Sequence, residues 1–336
     1  MSQQKERYSN AFTATLAGIT DLFKKQKDPV IIHPEDNVSG KNILITGASS
    51  GLGFEAAVQL ARRGGHIWMA CRSGIPEKGE QVRKLSGSDA VEMLPVDLSD
   101  LDSINRLVGA LIHRGVQLDI LIDNAAVVPG GSRQTKQGLE EMFVVNYLSK
   151  FMLVRLLLDH DLFNTYGKES PRIIYVSSES HRNPKSFDWD GFGIYKPYSM
   201  GKTVALYGYY KLLMTTMANE LSRRLNADGA VHYSVFALCP GPVNSNIARE
   251  SPAIFKPLLK VVFGIFFRSP KQAVLPVVYF ASSPEVRDKP LDYLFLMSRK
   301  EMDGKAVAMD NGSRLWAISE QVLEKKGVVF KNQLKG

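Results

Sequence analysis

Six short apolar runs recur along the chain: NILIT (42–46), HIWMA (66–70), VEMLPV (91–96), LDILID (118–123), RIIYVS (172–177) and HYSVFAL (232–238). Their length and their content of β-branched and large apolar residues predict strands. Between them, residues 54–63, 101–113 and 139–158 carry apolar side chains at i, i+3 and i+4, the spacing of a helix with one buried face. Apolar strands alternating with helices predict repeated βαβ units, hence an α/β fold with a doubly wound parallel sheet in a single domain. No internal repeat or low-complexity segment breaks the rhythm.

Two regions stand outside it. Residues 1–40 form an N-terminal extension with a candidate amphipathic helix, AFTATLAGITDLFKK, whose Phe12, Leu16, Ile19, Leu22 and Phe23 fall roughly on one side. Residues 253–267, AIFKPLLKVVFGIFF, are apolar apart from two lysines. Each region reads either as an extra helix packed on the core or as a surface that meets lipid or covers substrate.

Charge and cysteine content narrow the partners. Forty-two Lys and Arg against 34 Asp and Glu give a net charge of +8, which favours an acidic ligand or an anionic membrane surface. No aromatic-interleaved basic array points to nucleic acid. Two cysteines, Cys71 and Cys239, are too few for a disulfide framework or a cysteine-based zinc site, and a reducing compartment is expected. The N-terminus lacks the apolar run of a signal peptide, and no stretch of ~18 apolar residues can span a bilayer. The expected location is therefore intracellular, cytoplasmic or peripherally bound to a membrane.

Directly after NILIT comes GASSGLG, whose glycines at 47, 51 and 53 turn into a helix. Glycine allows a tight turn and close backbone approach, and the helix N-terminus offers N–H groups and a positive dipole to a pyrophosphate. Strand before and helix after make this a Rossmann-like dinucleotide site, with Gly47, Ser49, Ser50, Gly51, Leu52 and Gly53 as its contacts.

TGASSGLG resembles the TGxxxGxG loop of the short-chain dehydrogenase/reductase family, and further matches follow in family order. By that resemblance Asp97 and Leu98 of PVDLSD lie near the adenine, and Asn124 and Ala125 belong to the strand-end motif DNAA. Asp123 and Ala126 stand there where the family usually has Asn and Gly. The resemblance also makes Asn146 the proton-relay asparagine and Ser178 the catalytic serine. It places Pro240, Gly241, Val243 and Ser245 of PGPVNS beside the nicotinamide. VSSESHR, CPGPVNSNI and LWAISEQVL look most like the retinol dehydrogenases and the WW-domain-containing oxidoreductase. The family domain is then expected over 41–318, with substrate-side segments 182–206 and 245–268 and a tail over 319–336.

The pattern Tyr-x-x-x-Lys occurs twice, as Tyr198/Lys202 and Tyr207/Lys211, and helical pitch puts each lysine on its tyrosine's face. A phenol with a pKa near ~10 needs a neighbouring cation before it becomes a useful acid or base at neutral pH. By resemblance, the span from the lysine to Arg223-Arg224 and Pro240 favours Tyr207 and Lys211, which then serve both catalysis and cofactor binding. His181 is expected as a polar residue near the site entrance.

Arg72, after the second strand, replaces the acid of an NAD-preferring site and favours NADP(H) over NAD(H). The expected activity is an NADP-dependent, metal-free alcohol/carbonyl oxidoreductase. The apolar 245–268 segment points to a lipophilic substrate such as a retinoid, steroid or lipid aldehyde. Other partners expected are a membrane surface and a second copy of the chain. Alternatives are a protochlorophyllide-type reductase, on the strength of DNAA, and a catalytically silent cofactor-binding regulator.

Overall fold

The computed structural model describes residues 28–167, 169–242, 268–287, 289–332 and 334. The N-terminal run Phe12 to Phe23, the loop candidates Val243 and Ser245 and the apolar stretch 253–267 lie outside the described residues.

The chain runs β1 (Asn42–Thr46), α1 (Gly51–Arg62), β2 (His66–Cys71), α2 (Glu77–Ser86), β3 (Val91–Pro95), α3 (Leu101–His113), β4 (Ile120–Asp123) and α4 (Ser149–Asp159). It continues β5 (Arg172–Val176), α5 (Met200–Leu225), β6 (Ser234–Cys239), α6 (Leu275–Ser282), β7 (Leu291–Phe295), β8 (Ser298–Arg299) and α7 (Met309–Glu324). The strands form one eight-stranded sheet in the order β3-β2-β1-β4-β5-β6-β7-β8, parallel throughout except for β7 with β8.

Successive residues of a strand point to opposite faces, and here both faces are covered. In β1, Leu44 joins the core under α3, α4 and α5, whereas Ile43 and Ile45 join the core under α1 and α6. All three are fully buried. Double burial explains why these strands read as unbroken apolar runs rather than as alternating ones.

The apolar runs stop at β6, yet the sheet does not. In β7, LDYLF, only Tyr293 and Leu294 are buried, so its order comes from pairing with β6 rather than from a run of its own. Helix α2, EKGEQVRKLS, was equally silent because only Gly79 and Val82 of its residues are buried. The last described residues are fixed to the core: Asp159 accepts from the amides of Lys331 and Asn332, and Arg155 donates to the Asn332 carbonyl.

One buried cation ties the sheet to a crossover helix. Arg172 opens β5, and its Nη1 donates to the carbonyls of Phe280, Ala281 and Ser283 at 3.1, 2.9 and 3.1 Å. These groups at the end of α6 lack helical partners, and the guanidinium also meets the negative end of the helix dipole. Arg172→Met should therefore lower the unfolding free energy by about 2–4 kcal/mol. Denaturant titration measures it, and a loss under about 0.5 kcal/mol would remove the cap from the account.

Candidate active site

The sheet order turns back between β1 and β4, so the carboxyl ends of these strands open a crevice suited to a ligand. GASSGLG lies in it. Gly47 follows β1 and α1 starts at Gly51; Ser50, the residue before the helix, makes no side-chain cap, and the first turn carries no acid. The amide end of α1 thus keeps its positive dipole for an anion. Gly53 is required by packing: a Cβ there would stand 2.5 Å from Asn124 Nδ2 and from the Gly47 carbonyl oxygen. Leu52 is buried in the core, and Ser49 lies beside the Cys71 thiol at the end of β2.

Arg72 follows β2, exposed, with no ion pair or hydrogen bond among the described residues. A second cation stands close by, which the sequence reading missed. The Lys78 stem packs against Gly74, near Ser49, and its Nζ lies 5.6 Å over the Phe54 ring. Its signal was a lysine in the first turn of a helix that lacks an apolar stripe. An uncapped helix end with Lys78 packed near Ser49 fits the diphosphate of a dinucleotide.

Asp97 is half-buried and accepts from the amide and hydroxyl of Ser99, with Leu98 buried beside it. Asn124 Nδ2 donates to the carbonyls of Thr46 and Gly47, joining the end of β4 to the glycine loop. Thr46 is the hub of this junction. Its hydroxyl donates to Asp123 Oδ1 at 2.7 Å and accepts from the amides of Asn124 and Ala125.

A π-helical turn, Val144–Leu148, precedes α4 and packs on α5. It carries Asn146, fully buried, whose side-chain amide bonds both backbone groups of Val127: Oδ1 accepts from N at 2.8 Å and Nδ2 donates to O at 2.9 Å. Ser178 follows β5, and its Oγ accepts from the amide and hydroxyl of Ser180.

Tyr207 and Lys211 lie one turn apart on α5. The Tyr207 hydroxyl faces Ser178, and Lys211 Nζ sits 5.5 Å from the centroid of the Tyr207 ring. Lys211 is buried and donates to the Val176 carbonyl at 2.6 Å. Gly208 permits this proximity: a Cβ there would lie 2.9 Å from the Ser180 carbonyl oxygen, forcing α5 away from the turn that carries Ser178. Burial pushes the Tyr207 phenol above its ordinary pKa, with the Ser178 side chain opposing. Burial, then Lys150, lowers Lys211 to about 7, while Asp123 and Cys239 pull it back up.

The first Tyr-x-x-x-Lys pair is placed differently, for a reason other than span. Helix α5 begins at Met200, so the nine extra residues are accommodated as projecting helical turns, with Met200 and Val204 exposed. Helix length therefore does not separate the pairs; surroundings do. Tyr198 precedes the helix and its hydroxyl donates to Glu140 Oε1 at 2.8 Å, while Lys202 is exposed. Burial, then the hydrogen bond to Glu140, raises the Tyr198 phenol.

His181 is fully buried rather than at an entrance. Its Nε2 accepts from the Asp303 amide, so Nδ1 carries the proton and donates to the Ser178 carbonyl at 2.7 Å. Burial lowers its pKa to about 4 and keeps the ring neutral. In the segment 182–206, Trp189 stacks on Phe187 under Arg314, and Phe192 packs edge-on against Phe143 and Tyr147. Pro240 is buried and Gly241 half-buried at the end of β6; Val243 and Ser245 lie outside the described residues.

The sequence pattern of the family described as short chain dehydrogenase matches residues 41–253. Retinol dehydrogenase 13 of Homo sapiens is 31% identical over 316 residues, covering 92% of each chain. The WW domain-containing oxidoreductase of Homo sapiens is 31% identical, over 86% of this chain and 69% of its own length. Among solved structures, the Pseudomonas aeruginosa RhlG/NADP active-site complex superposes with a TM-score of 0.60 at 20% identity, covering 79% of this chain and 98% of that one. With the parallel sheet, the glycine loop at its switch point and these relatives, the chain belongs to the short-chain dehydrogenase family, oxidoreductases that use a nicotinamide cofactor on alcohol and carbonyl groups.

Proposed function

We propose that the chain is an NADP(H)-dependent alcohol/carbonyl oxidoreductase in which Tyr207 exchanges the proton on the substrate oxygen. The observation that carries this reading is the contact of Tyr207 with Ser178 above Lys211. When bound, the nicotinamide supplies or accepts the hydride. Ser178 donates a hydrogen bond to the substrate oxygen, and Tyr207 gives or takes its proton. Protonated Lys211 opposes the upward push of burial on the phenol, because a cation beside it stabilises the phenolate. Lys211 would also hold the nicotinamide ribose when the cofactor is bound. Asn146, fixed on Val127, holds the water that links Lys211 to solvent.

Tyr198 is the wrong kind of group for this task. Its proton is committed to a carboxylate, and the neighbouring negative charge disfavours phenolate. We read it instead as the tether of the segment 182–206, since its backbone and that of Ser132 are also hydrogen-bonded.

A lipophilic substrate is supported by the similarity to retinol dehydrogenase 13 and by the exposed Ile194, Met200 and Val204 along this segment. The same exposed side chains, with the net charge of +8, support peripheral contact with an anionic membrane. Arg72 and Lys78 support the 2'-phosphate of NADP(H) as the distinguishing cofactor group.

Two experiments test this. Tyr207→Phe should reduce NADPH-dependent turnover of all-trans-retinal, or of the most active carbonyl in a lipid and small-carbonyl panel, by at least about 100-fold. Tyr198→Phe should keep turnover within about tenfold. Loss of activity in Tyr198→Phe with full activity in Tyr207→Phe would reverse the assignment, and turnover confined to small hydrophilic carbonyls would remove the lipophilic substrate. Separately, Arg72→Ala and Lys78→Ala should each weaken NADPH binding about tenfold, or ~1.4 kcal/mol, with NADH binding unchanged. Fluorescence titration measures both cofactors, and equal losses for the two would take the phosphate out of the account.

A further inference from the structure

Asp123 and Lys150 are a fully buried ion pair, with Nζ and Oδ1 2.7 Å apart. Removing two charges from water costs several kcal/mol for each, and well-packed apolar residues often replace such a pair without loss. Its place in the molecule gives the pair a task. Asp123 ends β4 at the switch point, where its Oδ1 accepts from Lys150 and also from the Thr46 hydroxyl. With its proton directed at Asp123, the Thr46 oxygen is left to accept from the amides of Asn124 and Ala125. The carboxylate thus orients the hydroxyl that shapes the loop facing the glycine turn.

The same pair lies beside Lys211. Asp123 is in register with Tyr175 on β5, and Lys211 Nζ bonds the carbonyl of the next residue, Val176. Asp123 Oδ2 and the Tyr175 hydroxyl are buried with no hydrogen-bond partner among the described residues. The charged and titratable groups that act on Lys211 are Lys150 from α4, Asp123 from β4 and Cys239 from β6, with Tyr207 one turn away on its own helix.

We propose that the Asp123–Lys150 pair is a positioning unit for the active site, fixing the electrostatic setting of Lys211 together with the hydrogen-bond direction of Thr46. The catalytic consequence rests on the reading of Tyr207 and Lys211 as the acid–base pair. The charge effect on Lys211 does not. Each member acts with opposite sign: Lys150 alone drives the proton off Lys211, and Asp123 alone holds it there. Lys150→Met leaves the carboxylate uncompensated and raises the pH at which Lys211 loses its proton. Asp123→Asn keeps a hydrogen-bond acceptor for Thr46 but removes the charge, and moves that pH down. The double variant restores an uncharged pair and returns it toward the starting value.

Protein stability reads this without any substrate. The Lys211 pKa is about 7 in the folded chain, whereas an unfolded lysine titrates near ~10.4. Between these values the unfolded chain binds one proton more. The contribution of Lys211 to stability therefore rises with pH across that window and is flat below it. The melting temperature is measured from pH 6 to 10 for wild type and the three variants, each against the same protein carrying Lys211→Met. We expect the lower edge of the window to move up by about one pH unit in Lys150→Met, down in Asp123→Asn and back in the double variant. The pH profile of kcat with NADPH and all-trans-retinal should move in the same directions.

Edges that coincide with wild type in every variant, with only the overall melting temperature lowered, would make the pair purely structural and overturn the proposal. Should Asp123→Asn fail to fold, an unshifted edge in Lys150→Met alone overturns it. Shifted stability edges without turnover of any carbonyl would uphold the pair's effect on Lys211 and refute the proposed activity instead.

Discussion

Side chains on both faces of β1 to β6 must leave water, and no strand of this sheet can meet that demand by itself. Each consecutive parallel pair needs a crossover, and a crossover that also covers a face is most economically a helix. Winding one way from β1 to β3 and then the other way from β4 onward covers both faces, and it brings the ends of β1 and β4 side by side without a helix between them. The crevice is a by-product of covering the sheet. The glycine loop, the Thr46 junction and the Lys211 ammonium are all found at that end of the strands.

Several polar groups inside this apolar frame hold backbone in place. Arg172 satisfies three carbonyls at the end of α6, Asn146 both backbone groups of Val127, and His181 the Ser178 carbonyl. The desolvation cost of leaving such groups unpaired makes the geometry of these three contacts well defined. The Asp123–Lys150 pair belongs to this set and differs in carrying full charges, whose influence extends beyond hydrogen-bond distance to Lys211.

Much of the fold was legible because parallel strands buried on both faces leave unbroken apolar runs, which NILIT and RIIYV display. Helix α2 and strand β7 were not, since they bury few side chains and owe their order to neighbours. In the candidate site, the glycine loop could be read because its task is carried by backbone, and only glycine tolerates the approach at position 53. Lys78 could not, because its relevance depends on Gly74 and Ser49 folding against it.

The amino-acid sequence by itself determined the sheet-and-helix alternation, the dinucleotide loop and the two Tyr-x-x-x-Lys candidates, since these follow from local period and spacing, while Ser178 entered the candidate set through the family resemblance of its motif. The surroundings of each tyrosine were decided by the tertiary structure alone. Tyr198 and Tyr207 stand in the same local motif, but one phenol meets the carboxylate of Glu140, 58 positions away, and the other meets Ser178 above a buried ammonium. The charge state of Lys211 is likewise set by Asp123 and Lys150 on other elements. Electrostatic interactions depend on distance through space, and a one-dimensional spacing rule carries no such distance.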